Sequence, residues 1–316
     1  MILICSCRHN GKTMSFYYWR TVFSLDSMEK AALDRNGVDT LYVRYFDVDE
    51  GPVPVAPVRF VDTVGRRTVV PVVFIRNQVF EHEAPVLVRQ VAGLVARIDS
   101  TAGVRSGAIQ FDCDWTEKTK DRYFDFLRAY ARVSGRVVSC TIRLHQIKYP
   151  ERTGVPPVDH GALKLYNMGV IDAGGGTSIY DKGVTQRYIR FLHTYPLPLD
   201  VALPVFAWGL QVRGGKVVAL LDKMDADLFE RDTNFVRVRA GRYRAVRACF
   251  KGGYYFQASD EAKTECVSAT DLLDLVRAVN RYTNRRIRNL IFYDLDQQNL
   301  AQYDSDVFQK ILAHTD

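Results

Sequence analysis

Eight short segments rich in Val, Ile, Leu, Phe and Tyr alternate with stretches of helical periodicity, and no other feature restricts the possible folds so strongly. The strand-like segments are Phe16 to Phe23, Thr40 to Val48, Val69 to Arg76, Ala108 to Trp115, Val137 to Gln146, Ala162 to Met168, Val201 to Trp208 and Arg288 to Asp294. Helices are expected at Leu25 to Arg35, Glu83 to Ile98, Lys120 to Val133, Val184 to Thr194, Ala269 to Tyr282 and Asp304 to Ala313. Asn36-Gly37 after the first of these is a helix stop, because glycine takes the left-handed conformation without strain. Strands alternating with helices predict an α/β fold, a (β/α)8 or TIM barrel. The rhythm breaks once. Residues 210–268 carry the turn pairs Gly214-Gly215 and Gly252-Gly253 and the β-formers Phe235 to Val238 and Tyr254 to Phe256. They predict a β-rich insertion between strand seven and strand eight. The expected organisation is a leader over residues 1–14 and a barrel over residues 15–316, with residues 210–268 as an insertion subdomain.

Charge narrows the partners. Of 316 residues, 43 are basic and 36 acidic, a formal charge of +7, and the basic ones form no dense block. Arg66-Arg67 and Arg285-Arg286 read as solvated surface positions, so nucleic acid is not an expected partner. No run of about 18 apolar residues occurs that would span a bilayer. The start, Met1-Ile2-Leu3-Ile4-Cys5-Ser6-Cys7, followed by the polar Arg8 to Lys12, resembles the tail of a bacterial lipoprotein signal. Lipidation at Cys7 would place the domain in the periplasm or at the cell surface, anchored to the outer membrane. Membrane contact is expected only through that anchor. Cys113, Cys140, Cys249 and Cys266 have no metal-ligand spacing, and no metal or cofactor is expected. A Cys249–Cys266 pair is left open.

The chemistry concentrates in Ile109-Gln110-Phe111-Asp112-Cys113-Asp114-Trp115-Thr116-Glu117. Side chains alternate along a strand, so Asp112 and Asp114 share one face, at the strand end where a β/α barrel keeps its reactive groups. Two carboxylates on one face repel, and one of them can be pushed toward its protonated form. Trp115 alternates away from them, toward the helices. On strand five, Ser139, Thr141, Arg143 and His145 share a face next to the acids. They form either a substrate-binding wall or an ion-pair network that fills the barrel. Arg44 and Asp47 on strand two, and Asp294 after strand eight, are further polar groups near strand tips. Asp47 and Asp294 are both candidates for a second carboxyl across the mouth. Trp19, Tyr45, Tyr166, Trp208 and Tyr293 stand near strand ends, where aromatic faces stack on sugar rings.

Asp112-Cys113-Asp114-Trp115 resembles the D-x-D-W-E signature of glycoside hydrolase family 18, the chitinase-like barrels. Leu165-Tyr166-Asn167-Met168 resembles that family's sixth-strand M-x-Y-D segment, and Leu203 to Gly209 its seventh-strand Pro-aromatic-Gly segment. The chain looks most like an uncharacterised bacterial branch of such barrels. The resemblance implies a glycan substrate at the C-terminal mouth, with Asp112 and Asp114 catalytic. It implies Trp19, Arg44, Asp47, Arg143, His145, Tyr166, Asn167, Trp208, Tyr293 and Asp294 as the substrate-binding set. Two departures oppose a simple transfer. Thr116 stands where the family has its proton-donating Glu, and Asn167 replaces an acidic residue. Threonine cannot act as a general acid near neutral pH, and glycoside hydrolysis requires one protonated and one ionised carboxyl. The sequence therefore supports a glycan-active hydrolase and, alternatively, a catalytically silent glycan-binding barrel. A barrel with another chemistry is a third class.

Other motifs are absent. His82 has no second His four residues away, Gly174-Gly175-Gly176 is not followed by a P-loop Lys, and no G-x-S-x-G elbow occurs.

Overall fold

The computed structural model describes residues 12–49, 53–82, 86–283 and 287–315. Cys7 and most of the expected leader lie outside the described residues, as do Glu83 and the Arg285-Arg286 pair. Eight parallel strands form the barrel: β1 (Thr13–Tyr18), β2 (Thr40–Asp49), β3 (Thr68–Ile75), β4 (Ala108–Asp112), β5 (Val137–Ile142), β6 (His160–Lys164), β7 (Leu199–Pro204) and β8 (Asn289–Tyr293). Each pairs with the next, and β8 pairs with β1, so the sheet closes on itself without an edge.

The alternation sorts each strand. On β4, Ile109 and Phe111 face the helical shell, where Phe111 meets Phe126 at 5.0 Å and Tyr130 at 4.8 Å between ring centroids. Gln110 and Asp112 face inward. The helix Lys120–Ser134 supplies that shell because Tyr123, Phe126, Leu127 and Tyr130 recur at helical spacing, and it ends at Gly135 with φ near 65°. The helix Leu87–Ala102 does the same with Leu87, Val91, Val95 and Ile98, and ends at Gly103. Asp26 and Glu29 form a reciprocal capping box at the start of Ser27–Arg35. Each fully buried aromatic or aliphatic side chain in this shell contributes roughly 1.5 to 3 kcal/mol.

The insertion lies between β7 and β8. Strands Lys216–Asp222, Trp208–Arg213, Glu261–Glu265, Arg242–Ala245 and Phe235–Arg239 form an antiparallel sheet in that order. It has its own small core, in which Phe229 stacks on Tyr243 at 5.5 Å and meets Phe235 at 5.0 Å. Gly214 and Gly215 both have positive φ, as a two-residue hairpin loop requires.

Several boundaries differ from those expected. β1 starts at Thr13, inside the segment read as leader. β4 to β7 end three to four residues early, at Asp112, Ile142, Lys164 and Pro204. After β5 the Gln146 side chain accepts the Arg143 N–H at 2.7 Å and starts the helix Leu144–Lys148. His145 therefore sits on a helical turn and not on the strand face. Trp208 opens the insertion sheet and does not end β7. Cys249 and Cys266 are both free thiols.

Candidate functional site

Both strand-four acids are held by cations. Asp112 is buried, accepts the Thr141 hydroxyl at 2.7 Å, and has the Lys164 ammonium 3.2 Å from each of its oxygens. Asp114, just past the end of β4, pairs through Oδ2 with the Arg143 guanidinium. Each carboxylate thus has a separate cation beside it. Asp114 Oδ1 is buried and accepts no hydrogen bond among the described residues. Of the strand-five face, Thr141 and Arg143 reach the acids. His145 is exposed beside them. Partial burial and the Arg143 charge hold its imidazole below its usual range, against a smaller opposite pull from Asp114.

Thr116 holds the position of the missing acid. It is exposed, and its hydroxyl lies 3.2 Å from that of Thr119, which in turn donates to Asn77 Oδ1 at 2.5 Å. Glu117 points outward to Arg152 at 3.2 Å. Trp115 is packed into the shell as its alternation requires, stacked on Tyr123 at 5.3 Å and donating from Nε1 to the Thr153 carbonyl at 2.9 Å.

The aromatic candidates other than Tyr45 converge at the mouth. Tyr166 and Tyr293 stack at 5.0 Å, Tyr293 meets Trp19 at 5.5 Å and Phe206 at 5.6 Å, and Phe206 meets Trp208 at 5.2 Å. Tyr166 and Phe206 are buried and act as packing, whereas Trp19, Trp208 and Tyr293 keep open surface. These three border a cavity of about 260 Å³ together with Asn167, Asp222 and Asp294. A second, smaller cleft of about 170 Å³ adjoins it at Asn167 and is bounded by Arg143, His145, Lys164 and Tyr166. Asn167 is exposed with φ 56°, a left-handed conformation that asparagine tolerates.

Asp294 is the unusual carboxyl of the site. It is buried, accepts from Asn299 Nδ2 at 2.6 Å, and is pushed up to about 7 by burial first and by the charge of Asp296 second. Asp47, by contrast, is engaged by Arg44, whose Nε lies 2.9 Å from Asp47 Oδ1. Arg44 also donates to the Ala56 carbonyl at 3.1 Å, so this pair ties β2 to its following loop and contributes no free acid.

Three residues of the site escaped the sequence reading. Lys164 was discoverable, since it lies two residues before Tyr166 on the inward face of β6. Asp222 and Glu265 come from the insertion and carried no signal. Glu265 Oε2 accepts from Trp208 Nε1 at 3.1 Å and from the Ser178 N–H at 2.8 Å, while Lys263 lies 2.7 Å from its other oxygen. Burial would raise this carboxyl, but Lys263, Ser178 and Trp208 together hold it below its ordinary range. Arg242 donates to the Ala173 and Gly174 carbonyls. The glycine-rich loop Gly174-Gly175-Gly176 is thereby pinned to the insertion. No group of three or more His, Cys, Asp or Glu side chains poised for a metal ion occurs among the described residues.

No protein-family model and no curated protein matches the chain. Solved structures do. The Bacillus cereus spore cortex-lytic enzyme SleL superimposes with a TM-score of 0.58 at 12% identity, covering 96% of this chain and 74% of that one. A family 18 chitinase from Cycas revoluta in complex with (GlcNAc)3 gives 0.56 at 14% identity, covering 96% and 99%. A chitinase-like agglutinin from Robinia pseudoacacia gives 0.53 at 10% identity, covering 95% and 98%. Taken with the closed eight-stranded parallel barrel, these superpositions show that the chain has the fold of the glycoside hydrolase family 18 chitinases.

Proposed function

We propose that this protein binds a glycan at the C-terminal mouth of its barrel and does not hydrolyse it through the strand-four acids. One observation carries the reading. Lys164 neutralises Asp112, Arg143 neutralises Asp114, and Thr116 stands where a proton donor would have to be. Glycoside hydrolysis by a carboxyl pair requires one member protonated beside the leaving oxygen. Asp112 and Asp114 each face a cation, and neither has a second carboxyl as its partner.

Binding has support of a different kind. Trp19, Trp208 and Tyr293 offer partly open aromatic faces around one cavity, and faces of this kind stack on the C–H surface of pyranose rings. The exposed Asn167, which borders both clefts, supplies a polar contact for hydroxyl groups. The fold is shared with a chitinase crystallised with (GlcNAc)3 and with a chitinase-like agglutinin. Lipidation at Cys7 is part of the proposal and would hold the barrel at a bacterial periplasmic or cell-surface membrane. Radiolabelled palmitate incorporation that is lost in Cys7→Ser tests that part separately.

The decisive experiment exposes the protein to a glycan panel and reads both retention and product release, the latter by mass spectrometry. Retention without release is expected. Sugar release that disappears in Asp114→Asn or Asp294→Asn overturns the non-hydrolytic reading.

A further inference from the structure

The mouth cavity carries an uneven charge. Two cations border it, and each is engaged by an acid outside the cavity wall. Arg20 pairs with Glu29 at 2.7 and 2.8 Å, and Lys223 pairs with Asp296 at 2.6 Å. The two carboxyls that do line it, Asp222 and Asp294, have no cation of their own. Asp222 is exposed at the rim, directly across the antiparallel pair from Trp208, and its carboxylate has no ion pair or hydrogen bond among the described residues. Among the described residues the Asp294 carboxyl accepts only from the neutral Asn299 amide. Trp19, Phe206, Trp208 and Tyr293 form the aromatic part of the wall, and aromatic ring faces are electron-rich.

Aromatic faces beside unneutralised carboxyls make an environment that recognises an ammonium group. Each interaction of a cation with an aromatic face is worth about 0.5 to 2 kcal/mol, more as water is excluded. An uncharged acetamido group would meet the same rings without the attraction to Asp222. The volume of about 260 Å³ is below the roughly 300 to 1,000 Å³ of drug-sized ligand sites, so the cavity suits one monosaccharide unit. The chain as a whole is positively charged, at +7, so general attraction does not favour cationic ligands.

We infer that the Trp19–Trp208–Asp222–Asp294 cavity selects a cationic amino sugar, a glycan unit with a free ammonium, over its N-acetylated counterpart. The inference rests on the glycan-binding reading and deepens it. It also bears on Asp294. Burial first, and the like charge of Asp296 and Asp222 after it, raise this carboxyl, and an ammonium beside it would act in the opposite direction.

Isothermal titration calorimetry with three tetrasaccharides tests the inference: β-1,4-linked glucosamine, β-1,4-linked N-acetylglucosamine, and cellotetraose. The glucosamine oligomer is expected to bind roughly tenfold more tightly than the acetylated one, an advantage of about 1.4 kcal/mol. Asp222→Asn, a change at an exposed position, is expected to bring the two affinities within about threefold of each other. Equal affinities in the wild type, or an advantage that survives in both Asp222→Asn and Asp294→Asn, overturn the inference while leaving glycan binding intact. Absence of binding by all three oligomers overturns both readings.

Discussion

The Lys164 ammonium, at the end of β6, lies 3.2 Å from both oxygens of Asp112, at the end of β4, with β5 between them. Both side chains are nearly buried, at 13% and 8% exposure, so this is an internal ion pair of the barrel and not a surface one. Removing one partner leaves a charge without its counter-ion in a poorly solvated interior. Lys164→Met is therefore expected to lower stability by about 3 to 5 kcal/mol. The double change Lys164→Met with Asp112→Asn is expected to recover much of that loss. Urea denaturation of the three variants checks both statements, and equal losses in single and double variants would count against them.

The Asp294 carboxyl makes stability depend on pH. In the folded chain it is pushed up to about 7, while an unfolded Asp titrates near 3.8. The folded state therefore holds a proton that the unfolded state has lost between those values, and stability falls as pH rises from about 4 to about 7. The full displacement corresponds to roughly 4 kcal/mol, a contribution present below pH 4 and lost above pH 7. Asp294→Asn is expected to flatten this part of the stability profile, as measured by thermal melts at half-unit pH intervals.

Glu265 orients Trp208. Its carboxylate accepts from the indole Nε1 and the Ser178 N–H, and it pairs with Lys263. Glu265→Ala is expected to cost about 3 to 5 kcal/mol, because Lys263 keeps a buried charge without its partner. Trp208 fluorescence should shift to the red as the indole loses its anchor and gains water. Unchanged emission in Glu265→Ala, referenced to a Trp208→Phe background, would refute the positioning role.

Trp115 belongs to the scaffold. It is about 1% exposed, stacks on Tyr123, and donates to the Thr153 carbonyl. Trp115→Ala is expected to cost about 3 to 5 kcal/mol by leaving a cavity and an unbonded carbonyl. Glycan affinity, measured below the midpoint of unfolding, should stay within about twofold of wild type.

Local pattern determined a good part of this protein. The alternation of strands and helices was sufficient for a closed parallel barrel, because apolar periodicity dictates which face of each element must be buried. The same period-two logic placed Asp112 inward and Trp115 outward, and it holds after β4 has formally ended. Turn-rich composition marked the insertion between the seventh and eighth strands for a comparable reason, since Gly-Gly pairs satisfy tight hairpins. Strand ends were harder to read. Competition from helix starts, such as the Gln146 side chain capping the Arg143 N–H, is decided by hydrogen bonds that apolar periodicity does not register.

Only the tertiary structure decided how the charges are matched. Lys164 and Asp112 are 52 positions apart and meet because barrel closure and strand stagger bring inward residues of β4 and β6 to one level. Trp208 and Glu265, 57 positions apart, meet because the insertion folds back as an antiparallel sheet. Whether a carboxylate is a reactive acid or an internal counter-ion depends on which cation lies within a few ångströms of it. That distance is a property of the closed barrel and its docked insertion, and no spacing along the chain encodes it.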